Sequence, residues 1–335
     1  MSALDPRPTP REALLSVARA PEFFSFLLLV AAFAIAASMS EYFLDARYLL
    51  ESTSLCMEIG LMALAMTFVI VAGHIDLSCA GILALVAGVA AWLHARAGLP
   101  MELMLALCPL MGAALGAANG ALVAGLGLPS LVVTLGTMAL YRGGAKILLG
   151  DGSVSLPTAL TGIDYVFVPG TWIPAPLVAF LVLAVLAGLL LHQTTFGRAV
   201  IILGTNPEAA RLAGLPTRRD TVLVFALSGL AAGLAAALLC SRLGVARWDH
   251  ARGWELDVIT VVVLGGASIA GGRGTIAGTV IALFLVAVLR RGSEERQLAA
   301  VGALLIVGVA LSNAAAALGK ARSRRVTTPA PAPPS

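Results

Sequence analysis

Charge is scarce in this sequence. Asp, Glu, Lys and Arg make up 12% of its 335 residues, about half the share found in ordinary soluble chains. That excludes a water-exposed globular domain as the bulk of the molecule. Cysteine is scarce too: Cys56, Cys79, Cys108 and Cys240 each lie in or beside an apolar run, with no CxxC or Cys/His spacing. Neither a disulfide framework nor a metal site is indicated, and small buried hydrophobes are the simple reading. No GxxxxGK[ST], HExxH or GxSxG motif occurs, so the chain has no phosphate-binding loop of its own and no recognisable catalytic signature. The four histidines, His74, His94, His192 and His250, fall in separate connecting regions. The net charge of +4 is spread over loops and tails, without the aromatic-studded basic patch that nucleic acid requires.

What remains is apolar. Hydrophobic residues make up 59% of the chain, mean hydropathy is +0.95, and 35 glycines fall mostly inside apolar runs, where they let helices approach closely in a bilayer. A spanning helix needs about 20 apolar residues. Candidate runs lie near 22–39, 49–72, 77–93, 101–126, 128–149, 174–192, 221–241, 256–271, 274–290 and 297–318. The fold class is therefore an all-α polytopic membrane protein of about ten transmembrane helices. The eighth run is short and glycine-rich, which suits a broken or re-entrant segment buried in protein.

Basic residues near the run ends set the expected orientation. Arg7, Arg11 and Arg19 mark the N-terminal tail (1–21), and Lys320, Arg322, Arg324 and Arg325 the C-terminal tail (319–335). Both ends are expected in the cytoplasm, on either side of a membrane domain at 22–318, and the Pro-rich "TTPAPAPPS" end has nothing to bury. An even number of spans follows. The loop at 193–220, with Arg198, Arg211, Arg218 and Arg219, also falls inside, whereas the loop at 242–254 falls outside despite Arg242, Arg247 and Arg252. The run at 22–39 has no cleavage signal after it and reads as a retained anchor.

One stretch of the 193–220 loop, "GTNPEAARLAGLP" at 204–216, is defined with unusual care. Asn206 is a good N-cap, Pro207 suits the first helical position, and Glu208 meets the positive end of the helix dipole. Gly214 fits the left-handed position past the end, and Pro216 blocks continuation. A helix over 207–213 is predicted, too short to stand alone in water. It serves either as a capped connector or as a rigid lever that a partner protein grips.

Around this helix the sequence resembles a known family. "EAARLAG", Glu208 to Gly214, is similar to the start of the cytoplasmic EAA loop of ABC importer permeases, and "TTFGRAVIILGTNPEAARLAGLP" resembles the sugar-type branch of that family: ribose, xylose, galactoside, rhamnose and autoinducer-2 permeases. "GHIDLSCAGILALVAG" at 73–88, "LPSLVVTLGTMALYRGGAKILLGDGSVS" at 128–155 and "GWELDVITVVVLGGASIAGGRGTIAGTVIALFLVAVL" at 253–289 resemble three further segments of the branch, in order, and lean towards the rhamnose and autoinducer-2 types. The resemblance implies the ABC importer permease fold in the bacterial inner membrane, without cofactor, ATP being bound by a separate cytoplasmic ATPase. It implies a second permease copy or paralogue and a periplasmic or extracellular solute-binding protein as further partners. The ATPase-coupling loop would comprise Gly204, Asn206, Glu208, Ala209, Ala210, Arg211 and Gly214.

Candidates for the pathway or gate are polar residues in apolar surroundings. Asp76 interrupts an apolar run, and an unpaired carboxylate at membrane depth costs roughly 2.5 to 3.5 kcal/mol on insertion scales. It is expected to cap a helix starting near Leu77, with Ser78 assisting, or to line the path. His74 stands where the family more often has glycine, and its ring can titrate near neutral pH. Thr134, Thr137 and Tyr141 share one helix face, with Asn119, Ser130 and Arg142 as polar neighbours; they bond their own helices or line a sugar path. Glu255 and Asp257 are read as anchoring a half-helix near the external mouth, with Arg247 or Arg252 as partners, and Gly265–Gly266 and Gly271–Gly272 as turns in a broken helix or as close-packing points.

Two other classes compete. An ion-coupled secondary transporter predicts ionisable groups deep in the spans, yet most carboxylates sit at run ends. A membrane enzyme predicts a converging catalytic constellation, and none is spaced for it.

Overall fold

A computed structural model of the chain describes residues 21–39, 44–157, 160–162 and 166–289. Both tails and the tenth run at 297–318 lie outside the described residues, together with the basic residues read in those tails.

The described chain is helical almost throughout. Its helices are α1 (Pro21–Met39), α2 (Ala46–Thr53), α3 (Met57–Val71), α4 (Cys79–Ala97), α5 (Met101–Leu126), α6 (Ser130–Leu149), α7 (Ala175–Gln193), α8 (Thr195–Thr205), α9 (Pro207–Leu212), α10 (Thr217–Leu243), α11 (Trp254–Leu264) and α12 (Ile276–Leu289). Five stretches are long and apolar enough to cross a membrane: Leu49–Val71, which runs through the 3₁₀ turn Ser54–Cys56 into α3, and α4, α5, α7 and α10. α6 is of similar length and carries Arg142 and Lys146 in its second half. Of the expected runs, 101–126 coincides with α5, and the eighth is short as anticipated: α11 stops at Leu264, and no regular helix follows until Ile276. The 193–220 segment is not a loop. Apart from short joints it is helical, because Thr194 caps α8 with its hydroxyl, accepting from Gly197 N at 3.1 Å, and so restarts the helix after a single break.

α3 is the axis of the bundle. It is apolar on every side and buried nearly all round, as such a helix must be. α10 packs along α5 through Gly112 and Gly116 facing Gly229 and Gly233, with Gly120 against Val222, and an added Cβ at any of these glycines would run into the opposite backbone. Small residues four apart are what lets two membrane helices touch main chain to main chain. Glu58 in α3 is fully buried and meets Arg242 of α10 at 2.7 Å. α11 ends against α12 and α1, where the Ser25 hydroxyl donates to the Leu264 carbonyl at 2.5 Å and satisfies one of the acceptors a helix C-terminus leaves open. Outward faces are greasy instead: Val182, Val185 and Leu186 of α7 and Val132, Leu140 and Ile147 of α6 are exposed. Patches of this kind fit lipid or another apolar chain.

The ends of α10 define two ends of the bundle. At its C-terminal end, a two-residue strand β1 (Val154–Ser155) pairs antiparallel with β2 (Val245–Ala246), bringing the segment after α6 against the 242–254 segment. At its N-terminal end lie α9, the 72–78 break between α3 and α4, and the 265–275 segment.

Candidate functional site

α9 is the short helix the sequence announced. Asn206 Oδ1 accepts from Ala209 N at 3.0 Å, Pro207 is the first helical residue, and Glu208 lies in the first turn. At the other end Gly214 takes φ of 78°. Leu215 N bonds Ala210 O at 3.1 Å and Gly214 N bonds Arg211 O at 3.0 Å, the paired closure of a Schellman motif. Asn206 also closes the preceding helix, its N–H donating to Ile202 O at 3.0 Å. One residue thus ends α8 and begins α9, with no slack between. Ala210 is fully buried and seats the helix, whereas Glu208 and Arg211, joined at 3.1 Å, face outward. Leu212 is 78% exposed beside them. It was not singled out in the sequence, where one more leucine in so apolar a chain carries no signal.

Beneath α9 the 72–78 break is held from three sides. Ile75 N donates to Ser130 Oγ at 3.2 Å and Ile75 O accepts from Thr134 Oγ1 at 3.2 Å, tying it to the start of α6. Asp76 Oδ2 accepts from Ser228 Oγ of α10 at 2.7 Å, and its Oδ1 accepts from Ser78 N at 2.8 Å and Ser78 Oγ at 2.5 Å. Ser78 Oγ in turn accepts from Asn119 Nδ2 of α5 at 2.7 Å, and Asn119 Oδ1 from the Tyr141 hydroxyl at 2.9 Å. The result is one directed chain, Tyr141 to Asn119 to Ser78 to Asp76, met by Ser228. Every member is buried, and full satisfaction is what makes such a network tolerable in an apolar interior.

This corrects the helix-cap reading of Asp76. α4 begins at Cys79 with Ser78 as the capping residue. Asp76 lies two positions earlier, bonding the backbone two residues on and reaching across to another span. Thr134 and Thr137 do bond back to their own helix, to Ser130 O at 2.8 Å and Thr134 O at 3.4 Å. Tyr141 bonds across to α5 instead. Ser228 was missed altogether, since a lone serine in an apolar run has no telling spacing.

Between α9 and the break lies a cleft of about 590 Å³. Gly73, His74, Gly204, Glu208, Arg211 and Arg218 are among its walls. The His74 ring is tilted against Phe225, 5.7 Å between centroids. The coupling candidates Gly204, Glu208 and Arg211 and the gate candidate His74 therefore meet in one place.

Glu255 and Asp257 do not belong to this group. They open α11 at the opposite end of the bundle, after the β2 segment. Arg247 is not their partner: it grips Asp249 with two bonds of 2.9 and 2.8 Å, two residues along its own loop. Arg142 Nη1 donates to His250 O at 3.2 Å and ties α6 to that loop. Gly265 packs against the backbone of Gly278 in α12, and Gly266 turns the chain with φ of 93°.

Residues 48–318 match the family described as branched-chain amino acid transport system / permease component. The chain belongs to this permease family. It is accordingly a multi-pass membrane permease subunit of an ABC importer, a transport component and not an enzyme. Among curated proteins it is similar to the autoinducer 2 import system permease protein LsrD of Yersinia enterocolitica, at 40% identity over 79% of this chain and 83% of that one. The proteins of the same name from Photorhabdus luminescens and Escherichia coli K12 are 38% and 39% identical, over 79% of this chain and 83% and 84% of theirs. No solved structure matches.

Proposed function

We propose that this chain is the membrane subunit through which an ATP-driven importer moves a sugar-like solute of the autoinducer-2 kind into the cytoplasm. The observation that carries the reading is α9: a helix of six residues, capped at both ends, seated by buried Ala210 and presenting Glu208, Arg211 and 78%-exposed Leu212 outward. A helix of that length has no stability of its own, so two caps and a buried seat serve to hold it rigid for a partner. The partner is a cytoplasmic ATPase, and the α9 end of the bundle is the cytoplasmic one. The relatives' names and the 40% identity support autoinducer 2 over other sugar-like solutes.

A solute-binding protein delivers from the opposite face, where β1 and β2 pair. A second copy or a paralogue completes the pathway, and both chain ends lie in the cytoplasm. Import requires that the two conformations differ in affinity for the solute, not that the path bind it tightly. Glu255, Asp257, Thr137, Gly265 and Gly266 stand as pathway candidates on this reading.

The test is reconstitution in lipid with the candidate ATPase and solute-binding protein. ATP turnover stimulated by binding protein loaded with autoinducer 2, and not by rhamnose or ribose, is the expected result. Stimulation by another sugar alone would overturn the solute, and failure to associate with any ATPase would overturn the coupling role of α9.

A further inference from the structure

We propose that Gly73, Gly204 and Gly271 form a backbone clasp that makes α9, the 72–78 break and the 265–275 segment move as one body when the ATPase pushes on α9. The proposal rests on the coupling reading of α9 given above and adds the route by which its motion enters the bundle.

The last turn of α8, which leads into α9, the end of α3 with the start of the 72–78 break, and the 265–275 segment touch main chain to main chain. Gly272 N donates to Val71 O at 2.8 Å. A Cβ built on Gly271 would lie 2.6 Å from Gly204 O and 2.9 Å from Gly73 Cα. One built on Gly204 would collide with the Val71 carbonyl and lie 2.7 Å from Gly272 N. No side chain fills the space between, so there is no rotamer to absorb a displacement. Close-packed interiors of this kind are stiff and transmit strain.

Each side of the clasp is firmly attached. Gly204 is two residues from Asn206, the shared cap of α8 and α9. The 72–78 break is bonded to α6 through Ile75, to α10 through Asp76 and Ser228, and to α5 through Ser78 and Asn119. The 265–275 segment leads directly into α12 and follows α11. A push on α9 therefore reaches α5, α6, α10, α11 and α12 through bonds and contacts already in place. Gly204, Gly271 and Gly73 are positioning residues in this account, since none needs to touch the solute.

The deciding experiment joins two of the segments covalently. A Cβ at Gly274 would stand 2.8 Å from Val71 Cγ2, which puts the pair Val71→Cys/Gly274→Cys in range of a disulfide. The double variant is reconstituted with its ATPase and solute-binding protein, with autoinducer 2 as the transported probe. The expected result is that oxidation leaves uptake within about twofold of the reduced form, and that cross-linking proceeds equally with and without a non-hydrolysable ATP analogue. Oxidation that stops uptake while ATP hydrolysis continues, with recovery on reduction, would show that the segments slide past each other and would overturn the clasp. So would a cross-linking yield that changes with nucleotide.

A second variant reads coupling directly. Gly204→Ala is expected to lower solute moved per ATP hydrolysed at least tenfold, while Gly125→Ala, with nothing within 4 Å of its added Cβ, leaves the ratio unchanged. An unchanged ratio in a folded Gly204→Ala complex counts against the clasp. Absence of any solute-stimulated turnover in the wild-type complex is a separate outcome: it removes the importer reading, while the nucleotide dependence of cross-linking still judges the clasp.

Discussion

Asp76 and Ser228 are 152 residues apart in sequence and joined by a hydrogen bond of 2.7 Å between Oδ2 and Oγ, with both side chains buried. This bond ties the 72–78 break to α10 and supplies the second oxygen of a carboxylate that water does not reach. Ser228→Ala leaves that oxygen unpartnered and is expected to cost about 1–3 kcal/mol. Asp76→Ala removes the acceptor shared by Ser78 and Ser228, stranding both hydroxyls and the Ser78 N–H together, and is expected to cost more. Asp76→Asn keeps the shape and can still bond Ser228, so it is expected to be the mildest of the three. Thermal unfolding of the purified variants in detergent checks the order; Asp76→Asn falling below Asp76→Ala would contradict it.

Buried Glu58 is expected to behave differently. Glu58 and Arg242 close a 2.7 Å ion pair between α3 and α10, with the glutamate side chain fully buried and the arginine 14% exposed. Removing Arg242 takes the opposite charge away from a buried carboxylate, and breaking a buried ion pair typically costs about 3–5 kcal/mol. Arg242→Met is therefore expected to lower the unfolding temperature markedly, and Glu58→Gln/Arg242→Met to recover a large part of the loss. If the double variant is no better than Arg242→Met alone, the pair is not the cause.

How much of this was legible in the sequence follows from which interactions are local. α9 was readable residue by residue because caps, a first-position proline and a C-terminal glycine act within a few positions of the helix they define. The apolar runs were readable because a bilayer demands length and composition. Thr194 was not recognised as a restart signal, since one threonine at the end of a long apolar helix looks like a simple terminus; the helical character of 195–205 was lost with it. Glu58 was a visible anomaly inside the 49–72 run, but its partner lies 184 residues away. The Asp76–Ser228 bond and the contact of Gly204 with Gly271 are likewise long-range, and no periodicity encodes them. Of the two partners expected for Glu255 and Asp257, Arg247 or Arg252, the structure excludes Arg247 for the opposite reason: Asp249 is closer along the chain and makes a planar two-bond match.

Glu208→Lys separates function from stability on α9. The Glu208–Arg211 pair is more than 70% exposed on both sides, and such surface pairs contribute roughly 0–1 kcal/mol. Insertion and thermal stability are therefore expected to stay close to wild type. Uptake is expected to fall severely, because the reversed charge faces the proposed ATPase and opposes the helix dipole. Normal uptake by a correctly inserted Glu208→Lys protein would remove α9 from the coupling role.

Topology can be checked without function. β1 and β2 place residues 154–155 and 245–246 side by side, while Thr217 opens α10 at its far end. Reporter fusions after Gly152 and after Ser241 should land on the same side of the membrane, and a fusion after Thr217 on the other. Any different partition would break the proposed arrangement of the spans.

The β2 end should loosen in mild acid. His250 lies in the 247–253 loop, its Nε2 3.1 Å from Val245 O and its carbonyl accepting from Arg142. Burial pushes its pKa below the usual histidine value of 6.5, with the bond to Val245 opposing only in part. The folded form therefore prefers a neutral ring. Above the unfolded value both states are neutral and nothing is lost; as pH falls below it, the unfolded form takes up the proton first and local stability declines until the folded pKa is passed. Asp249 plays no part in that window, because its bonds to Arg247 hold its pKa below the ordinary carboxylate value of 3.8. Protection factors of the amides across 244–254, corrected for the intrinsic pH dependence of exchange, are expected to fall as the pH drops below the ordinary histidine value, and His250→Gln to remove that fall. Protection that stays constant in wild type, or that falls equally in the variant, would assign the end's stability to the β1–β2 pair and the Arg142 bond without His250.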